Sequence, residues 1–259
     1  MISILKSKVS IGLTTIAFLV LCWYFITGIL ELVPPLFLPS PVEIIRTFYL
    51  LFEEGYREIS IFHHILLSLM RVLGAFFFAC LIGIPLGLSM AMSRVIESMF
   101  DPLIELYRPV PPIALIPLFI IWLGIGEMSK IGIIFISIFS VIVINTISGV
   151  KAITLTKIWA AQTLGANKWN LFWHITLPGA LPHILTGMRV GIGFGWTTLV
   201  ASEMIAAASG IGWMALNARR FLRTDIIICG VIIMGVIGLL LDRGLRILEA
   251  RIVPWKGQE

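Results

Sequence analysis

The amino-acid sequence predicts an all-α polytopic membrane protein with six transmembrane helices, and two observations support this prediction. Of the 259 residues, 59% are hydrophobic and only 13% are charged, against about 25% charged residues in an ordinary soluble domain. The apolar residues also fall into long charge-poor runs, as a hydrocarbon core about 30 Å thick requires. A soluble domain could not bury so much apolar surface, and a disordered chain contains far fewer aliphatic and aromatic residues.

Six charge-poor runs mark the predicted spans: 9–30, 72–93, 109–126, 131–150, 169–202 with a helix start at Pro178, and 226–241. Helices are expected because unpaired backbone groups are too costly in lipid. The first run is too long for the core of a cleaved signal peptide, so we interpret it as a retained helix. One domain, 1–259, is expected, with a cytoplasmic segment at 151–178.

The basic residues predict the orientation in the membrane. With both ends on the cytoplasmic side, the cytoplasmic segments contain most of the lysines and arginines, as positive-inside charge bias requires. These residues include Lys6, Lys8, Lys151, Lys157, Lys168, Arg243, Arg246, Arg251 and Lys256. The net charge of +5 is scattered along the chain, so it indicates no nucleic-acid partner.

A proline-rich connection between the first two spans leads into a short amphipathic helix. Ser40, Pro41 and Glu43 have the spacing of a capping box with proline in the first turn. Apolar residues then recur on one face, which suits either a helix at the outer membrane interface or a helix packed on the bundle. They are Ile44, Ile45, Phe48, Leu51 and Phe52.

The sequence contains no recognisable motif for nucleotide binding, metal binding or catalysis. No lysine follows a glycine, so the phosphate-binding loop of ATPases cannot occur in this chain. The histidines lack the spacing of a helical zinc site, and Cys22, Cys80 and Cys229 are interpreted as small buried hydrophobic residues. We therefore expect neither catalytic residues nor a metal or cofactor in this chain.

Gly187, Gly191 and Gly195 recur every four residues, which predicts close helix packing.

Three prolines interrupt the start of the third run, at Pro109, Pro111 and Pro112. Proline removes a backbone donor and crowds the preceding turn, so an uninterrupted helix is excluded here. Broken backbone at membrane depth is tolerated where it is buried in protein or lines a wet cavity. The break is therefore either a helix boundary at the cytoplasmic face or part of a translocation pathway formed by Pro111 and Pro112.

The segment between the fourth and fifth spans predicts a pair of short helices. Thr156 can cap the first, Gly165 can end it in the left-handed conformation, and Asn167 can cap the second. Apolar residues expected on its surface suggest a partner-binding site, with an interfacial hairpin on lipid headgroups as the alternative. They are Ile158, Ala161, Leu164, Trp169 and Phe172.

This segment resembles the cytoplasmic coupling signature of ABC importer permeases, E-A-A-x3-G-x9-I-x-L-P. Ala160, Ala161 and Gly165 match its first half, and the second half follows at the required spacing with Ile175, Leu177 and Pro178. The usual glutamate is replaced by Trp159, where a Glu would complete a capping box with Thr156.

Further stretches resemble the permeases for taurine, alkanesulfonates, nitrate and bicarbonate, and the likeness is greatest to the taurine-carrying members. These stretches are 37–41, 101–112, 121–127, 202–207, 210–213 and the ending 254–257. The resemblance implies a type I importer fold in the bacterial inner membrane. It also implies a second copy of the chain, two ATPase subunits that bind ATP and Mg²⁺, and a periplasmic or lipid-anchored substrate-binding protein.

Glu203 ends the glycine-rich span, where a buried carboxylate is costly unless it is paired. It could attract the ammonium of a zwitterionic sulfonate in the pathway, but an ion pair with Arg219 or Arg220 is the expected arrangement.

A secondary transporter and a membrane enzyme are the rival hypotheses. The first usually requires ionisable pairs at mid-membrane, and the second requires a cluster of His, Asp or Cys residues.

Overall fold

A computed structural model describes residues 2–255, without the side chains of residues 2–9 and 206. The described chain is helical, apart from turns and one isolated bridge between Tyr56 and Ile59. The structure therefore does not describe the side chains of Lys6 and Lys8, which the sequence places on the cytoplasmic side. Lys256 and Gly257, from the ending 254–257, lie outside the described residues.

Eleven α-helices follow one another among the described residues. They are α1 (Ile2–Tyr24), α2 (Pro41–Glu53), α3 (Ile61–Met92), α4 (Arg94–Tyr107), α5 (Ile116–Leu123), α6 (Glu127–Lys151), α7 (Leu155–Thr163), α8 (Lys168–Leu171), α9 (Leu177–Ala206), α10 (Ile211–Arg220) and α11 (Thr224–Ile252). Turns of π-helix cover Phe25–Ile29 and Phe172–Thr176, and a 3-10 turn covers Pro112–Leu115.

Five stretches of helix are long and apolar enough to cross a membrane: Ser10–Ile29, Ile61–Met92, Glu127–Lys151, Lys168–Ile205 and Thr224–Ile252. A sixth crossing results if α4 and the helix Pro112–Leu123 form one span, although the two are bent by 92°. The predicted third run, 109–126, contains helix only from Pro112 to Leu123, which is too short to cross the membrane alone, so this span also needs α4.

The fifth span also differs from the prediction. Pro178 was expected to start it, but helix continues from Lys168 through a π-helical turn into α9. Pro178 has no N–H to donate to the carbonyl of residue 174, as a regular α-helix would require. The wider π-helical turn directly before it lets the helix continue without this hydrogen bond. The second short helix is therefore the first turns of the fifth span.

The described chain packs as two compact units, 2–65 with 209–234, and 66–208 with 235–255.

In the first unit, α2 packs against the start of α11. The capping box is confirmed, since Ser40 and Glu43 exchange both hydrogen bonds. The Thr47 hydroxyl donates to Asp225 at 2.7 Å, and Ile44 and Leu51 are buried. These contacts agree with the packed alternative for α2, although Ile45 remains 69% exposed.

A buried aromatic cluster follows α2 in the same unit. The imidazole of His64 stacks on Trp213, with ring centroids 5.7 Å apart, and accepts a hydrogen bond from the Gly210 N–H at 3.0 Å. The Tyr56 hydroxyl donates to Asn217 at 2.9 Å, and burial raises the pKa of Tyr56.

The second unit is built around the close contact of α6 with α9 and α3. A Cβ at Gly187 would lie 2.5 Å from the Cβ of Asn145, and a Cβ at Gly195 would lie 2.4 Å from Ile138. On α3, a Cβ at Gly87 would lie 2.7 Å from Thr146. The predicted glycine packing is therefore confirmed: only glycine lets these helix backbones approach so closely.

Candidate functional site

The helix pair after α6, with the turn that joins its two helices, contains the first half of the predicted coupling motif, Ala160, Ala161 and Gly165. Helix α7 ends at Gly165, whose φ of +85° lies in the left-handed region that glycine adopts without strain. The Gly165 N–H donates to the Gln162 carbonyl at 2.9 Å, and the Ala166 N–H donates to the Ala161 carbonyl at 3.0 Å. These two bonds form a Schellman motif, so the turn conformation predicted at Gly165 is confirmed.

The start of α7 differs from the prediction. Thr154, not Thr156, is the N-cap residue, and its side chain makes no capping bond. A capping box between Thr156 and residue 159 is therefore wrong, because residue 159 lies beyond the first turn of the helix. Trp159 is instead 60% exposed. The second cap is confirmed, since Asn167 accepts a hydrogen bond from the Asn170 N–H at 2.8 Å.

The helix pair exposes large apolar side chains. Leu164 is 89% exposed and Trp169 is 68% exposed, as predicted. Phe172 is half-buried against the Leu88–Ala180–Ile184 cluster, and Ile158 and Ala161 are half-buried as well, so the exposure predicted for these three residues is wrong. The exposed surface therefore centres on Trp159, Leu164 and Trp169, and Ala160 beside them is also exposed.

The second half of the motif connects this surface to α9. Ile175, Leu177 and Pro178 are half-buried; Ile175 lies in the π-helical turn, and Leu177 and Pro178 are the first residues of α9. Ile175 and Pro178 line a cavity of about 440 Å³ together with His174, His183 and Trp255. Helix is continuous from Lys168 to Ala206, so α8 and α9 form one helical unit, from which α7 is separated by the turn at Gly165.

The proline break forms a sharp corner. Val110 N–H donates to the Tyr107 carbonyl at 2.9 Å, and Ala114 N–H donates to the Pro111 carbonyl at 2.9 Å. Pro111 is extended, with φ −61° and ψ 125°, and Pro112 starts the 3-10 turn. A cavity of about 310 Å³ lies beside this corner, lined by Val110, Pro112 and one face of α6.

Glu203 is buried in an ion-pair network. Its carboxylate accepts hydrogen bonds from Arg71 at 2.6 Å and from the Ser68 hydroxyl at 2.7 Å. Arg71 also pairs with Glu127 at 2.6 Å, and Lys130 pairs with Glu127 at 2.8 Å. The pairing of Glu203 with Arg219 or Arg220 is therefore wrong: Arg71 on α3 is the partner.

Sequence reasoning missed this network. The predicted second run starts at residue 72, directly after Arg71, whereas α3 begins at Ile61 and includes Arg71. A signal was present, because a helical run interrupted by one arginine requires an acidic partner on another helix. Nothing in one sequence indicates which acidic residue it is.

The chain has the architecture of a multi-pass membrane protein: long apolar helices, one broken span and an exposed helix pair after α6. Residues 83–254 match the family described as "Binding-protein-dependent transport system inner membrane component". The chain belongs to this family, the inner-membrane permeases of ABC importers, and the family resemblance seen in the sequence is confirmed.

Relatives with known names cover almost the whole chain. The taurine transport system permease protein TauC of Escherichia coli is 43% identical over 98% of this chain and 92% of its own length. The putative aliphatic sulfonates transport permease protein SsuC of Bacillus subtilis is 34% identical over 95% and 87%, respectively. The nitrate import permease protein NrtB of Synechocystis is 35% identical over 84% and 81%.

Solved structures show the same fold. The chain matches an inward-facing structure of the MetNI methionine ABC transporter with a TM-score of 0.59 and 18% identity, over 72% of this chain and 94% of the other. The type I importer permease fold is thereby confirmed.

Proposed function

We propose that this chain is the permease subunit of an ATP-driven importer for taurine or another small sulfonate. The identity to a taurine permease, at 43% over nearly the full chain, supports this substrate class. Nitrate is the alternative within the family because a nitrate permease is also a relative, and bicarbonate remains the other alternative from the sequence resemblance.

The working assembly is a dimer of this chain with two ATPase subunits and a periplasmic or lipid-anchored substrate-binding protein. ATP and Mg²⁺ bind to the ATPase subunits, and this chain contributes no catalytic residue. Both termini and the segment 151–178 face the cytoplasm, where the ATPases are. Family membership supports this arrangement over a stand-alone secondary transporter.

The exposed helix pair α7–α8 is the observation that carries the proposal. Leu164 and Trp169 expose large apolar surfaces on either side of the left-handed turn at Gly165. An exposed apolar surface outside the membrane favours a protein partner. Ala160, Ala161 and Gly165 fit a groove on the ATPase closely because they are small. Ile175, Leu177 and Pro178 then connect this contact to α9.

Transport proceeds by alternating access. Closure of the ATPase pair on ATP pulls the helix pair, and α9 moves with it as a continuous helix. Pro111 and Pro112 form part of the pathway wall, where the bent backbone gives a corner that helix movement can open. Glu203 contributes to the same pathway through the ion pairs that hold α3 and α9 together.

Gly165→Asp tests the coupling role. Aspartate tolerates the left-handed conformation better than most residues, so the helix pair should survive while the added side chain holds the ATPase away. We expect normal membrane levels, loss of taurine uptake and at least tenfold weaker co-purification of the ATPase. Gly244→Asp is the control: Gly244 is exposed within α11 and nothing lies within 4 Å of a Cβ added there, so the same side chain is added without backbone strain and the ATPase should still co-purify.

Normal uptake by the Gly165→Asp variant at wild-type level would overturn the coupling assignment. The substrate class is tested separately, by uptake of labelled taurine in competition with alkanesulfonates, nitrate and bicarbonate. Competition by nitrate or bicarbonate alone would replace the sulfonate assignment and leave the coupling assignment intact.

A further inference from the structure

The cavity beside the proline break combines positive charge with hydrogen-bond donors. Arg108 lines it, is exposed, and forms no ion pair with any residue that the structure describes. No acidic side chain is among the lining residues. An unpaired guanidinium with no carboxylate beside it attracts an anion, and its planar donors suit an oxyanion in particular.

Helix α6 supplies the polar face opposite Arg108. Ser137, Ser140 and Asn145 line the cavity together with Val141 and Ile144. These positions follow the i, i+3, i+4, i+7, i+8 pattern of one helix face. The Asn145 amide uses one N–H to donate to the Val141 carbonyl at 2.8 Å, which leaves its second N–H for a ligand. The Ser140 hydroxyl donates to no described acceptor.

The hydroxyl of Tyr107, another lining residue, is buried and has no hydrogen-bond partner among the described residues. Burying a hydroxyl in this way is unfavourable, because it has lost its water without gaining another partner. An anion bound beside it is one source of the missing acceptor, since a small rotation of the ring would let the hydroxyl donate.

The remaining walls are apolar and favour an organic anion over an inorganic one. Val141, Ile144 and Phe194 line the cavity, and a volume of about 310 Å³ lies at the lower end of the range for small-molecule sites. Nitrate or bicarbonate would leave these walls without contact, whereas a short alkyl chain would cover them.

We propose that this cavity is a binding site for an organic sulfonate within the membrane domain itself. Arg108 holds the sulfonate oxygens, Asn145 donates to them, and Val141 and Phe194 contact the carbon chain, while Ser140 lines the cavity beside them. The inference rests on the proposed function and deepens it: the permease itself selects for the sulfonate group, in addition to any selection by an external binding protein.

Cysteine protection tests the site on the complete transporter. Ser140→Cys is introduced in a background in which the three native cysteines are replaced, and the assembly is reconstituted in nanodiscs without nucleotide or binding protein. A cationic methanethiosulfonate reagent then modifies the cysteine. Methanesulfonate or taurine should slow the modification at least fivefold, and ethanolamine, which lacks the sulfonate, should not.

Two matched controls isolate the site. Ser148→Cys lies on the same helix, is exposed and is not a lining residue, so sulfonates should leave its modification rate unchanged. Arg108→Gln should abolish the protection of Ser140→Cys, and Arg108→Lys should retain part of it. Arg94→Gln removes an exposed arginine at the other end of α4 and should retain all of it.

Absence of protection, or protection that survives Arg108→Gln, would overturn the site. Protection by nitrate or bicarbonate but not by sulfonates would overturn the sulfonate assignment. Uptake of labelled taurine with binding protein and ATP is measured on the same preparation. Uptake without protection contradicts the site alone, and protection without uptake contradicts the proposed importer alone.

Discussion

At the scale of single residues, the second unit contains a network of buried charged side chains around Arg71. Arg71, Lys130 and Glu203 are each at least 95% buried, and Glu127 is about half exposed. The two positive and two negative charges balance. A buried charge is tolerated only when it is paired, so these groups depend on one another.

Glu203→Gln is expected to destabilise the protein strongly. Glutamine keeps the volume of the side chain but removes the charge that faces buried Arg71, and loss of one partner of a buried pair costs about 3–5 kcal/mol. The unfolding midpoint in detergent measures this effect. The apparent affinity for substrate should stay unchanged, because the carboxylate is occupied by Arg71 and Ser68.

The control for this variant is Glu97→Gln, which breaks the more exposed pair of Glu97 with Lys151 and should cost no more than about 1 kcal/mol. A changed apparent affinity in Glu203→Gln with an unchanged unfolding midpoint would contradict the structural role and favour direct contact with substrate.

At the scale of elements, the packing of α6 against α9 decides the form of the second unit. Gly149 on α6 lies against rigid atoms: a Cβ there would be 2.7 Å from the Cβ of His183 and 3.0 Å from the Ala180 carbonyl oxygen. Neither atom can move unless the backbone of α9 moves. The glycine is therefore required by the contact between the two helices.

Gly149→Ala should lower the free energy of unfolding by about 1–3 kcal/mol, the usual cost of overpacking. Gly193→Ala adds the same methyl group to α9 where nothing lies within 4 Å, and it should be neutral or stabilising by up to about 1 kcal/mol. Unfolding midpoints of the two variants provide the comparison. Equal effects would mean that helix propensity, not close packing, explains the glycines.

At the scale of the whole molecule, family membership and the bent third span predict that the proline corner changes its exposure during transport. Val110 is half-buried at the cavity, whereas Ile113 is 53% exposed. Residues that line a transport pathway should be exposed to water in one nucleotide state and shielded from water in another.

Cysteines at Val110 and Ile113 should therefore react with a membrane-impermeant thiol reagent at rates that differ at least threefold between the nucleotide-free and ATP-bound transporter. Glu54→Cys, at an exposed polar position after α2, should react equally in both states. If Val110→Cys and Ile113→Cys are inert in every state, the corner is a buried structural break and not part of the pathway.

Local chemistry explains what could be predicted from the sequence. The membrane class followed from composition, and the spans followed from charge-free runs, apart from the third and the ends of others. The capping box at Ser40 and the left-handed turn at Gly165 were also predicted correctly, because each depends on a few adjacent residues. Thr156 was wrong as a cap because two threonines lie within one turn, and sequence alone does not fix the boundary.

By itself, the sequence therefore determined the class of protein, its helices and the family motif. The tertiary structure decided which residues meet: Glu203 with Arg71, Thr47 with Asp225, and Gly187 with Asn145. These partners are separated by tens of residues or more along the chain. Their pairing depends on how long helices pack in three dimensions, and no spacing within one helix encodes it.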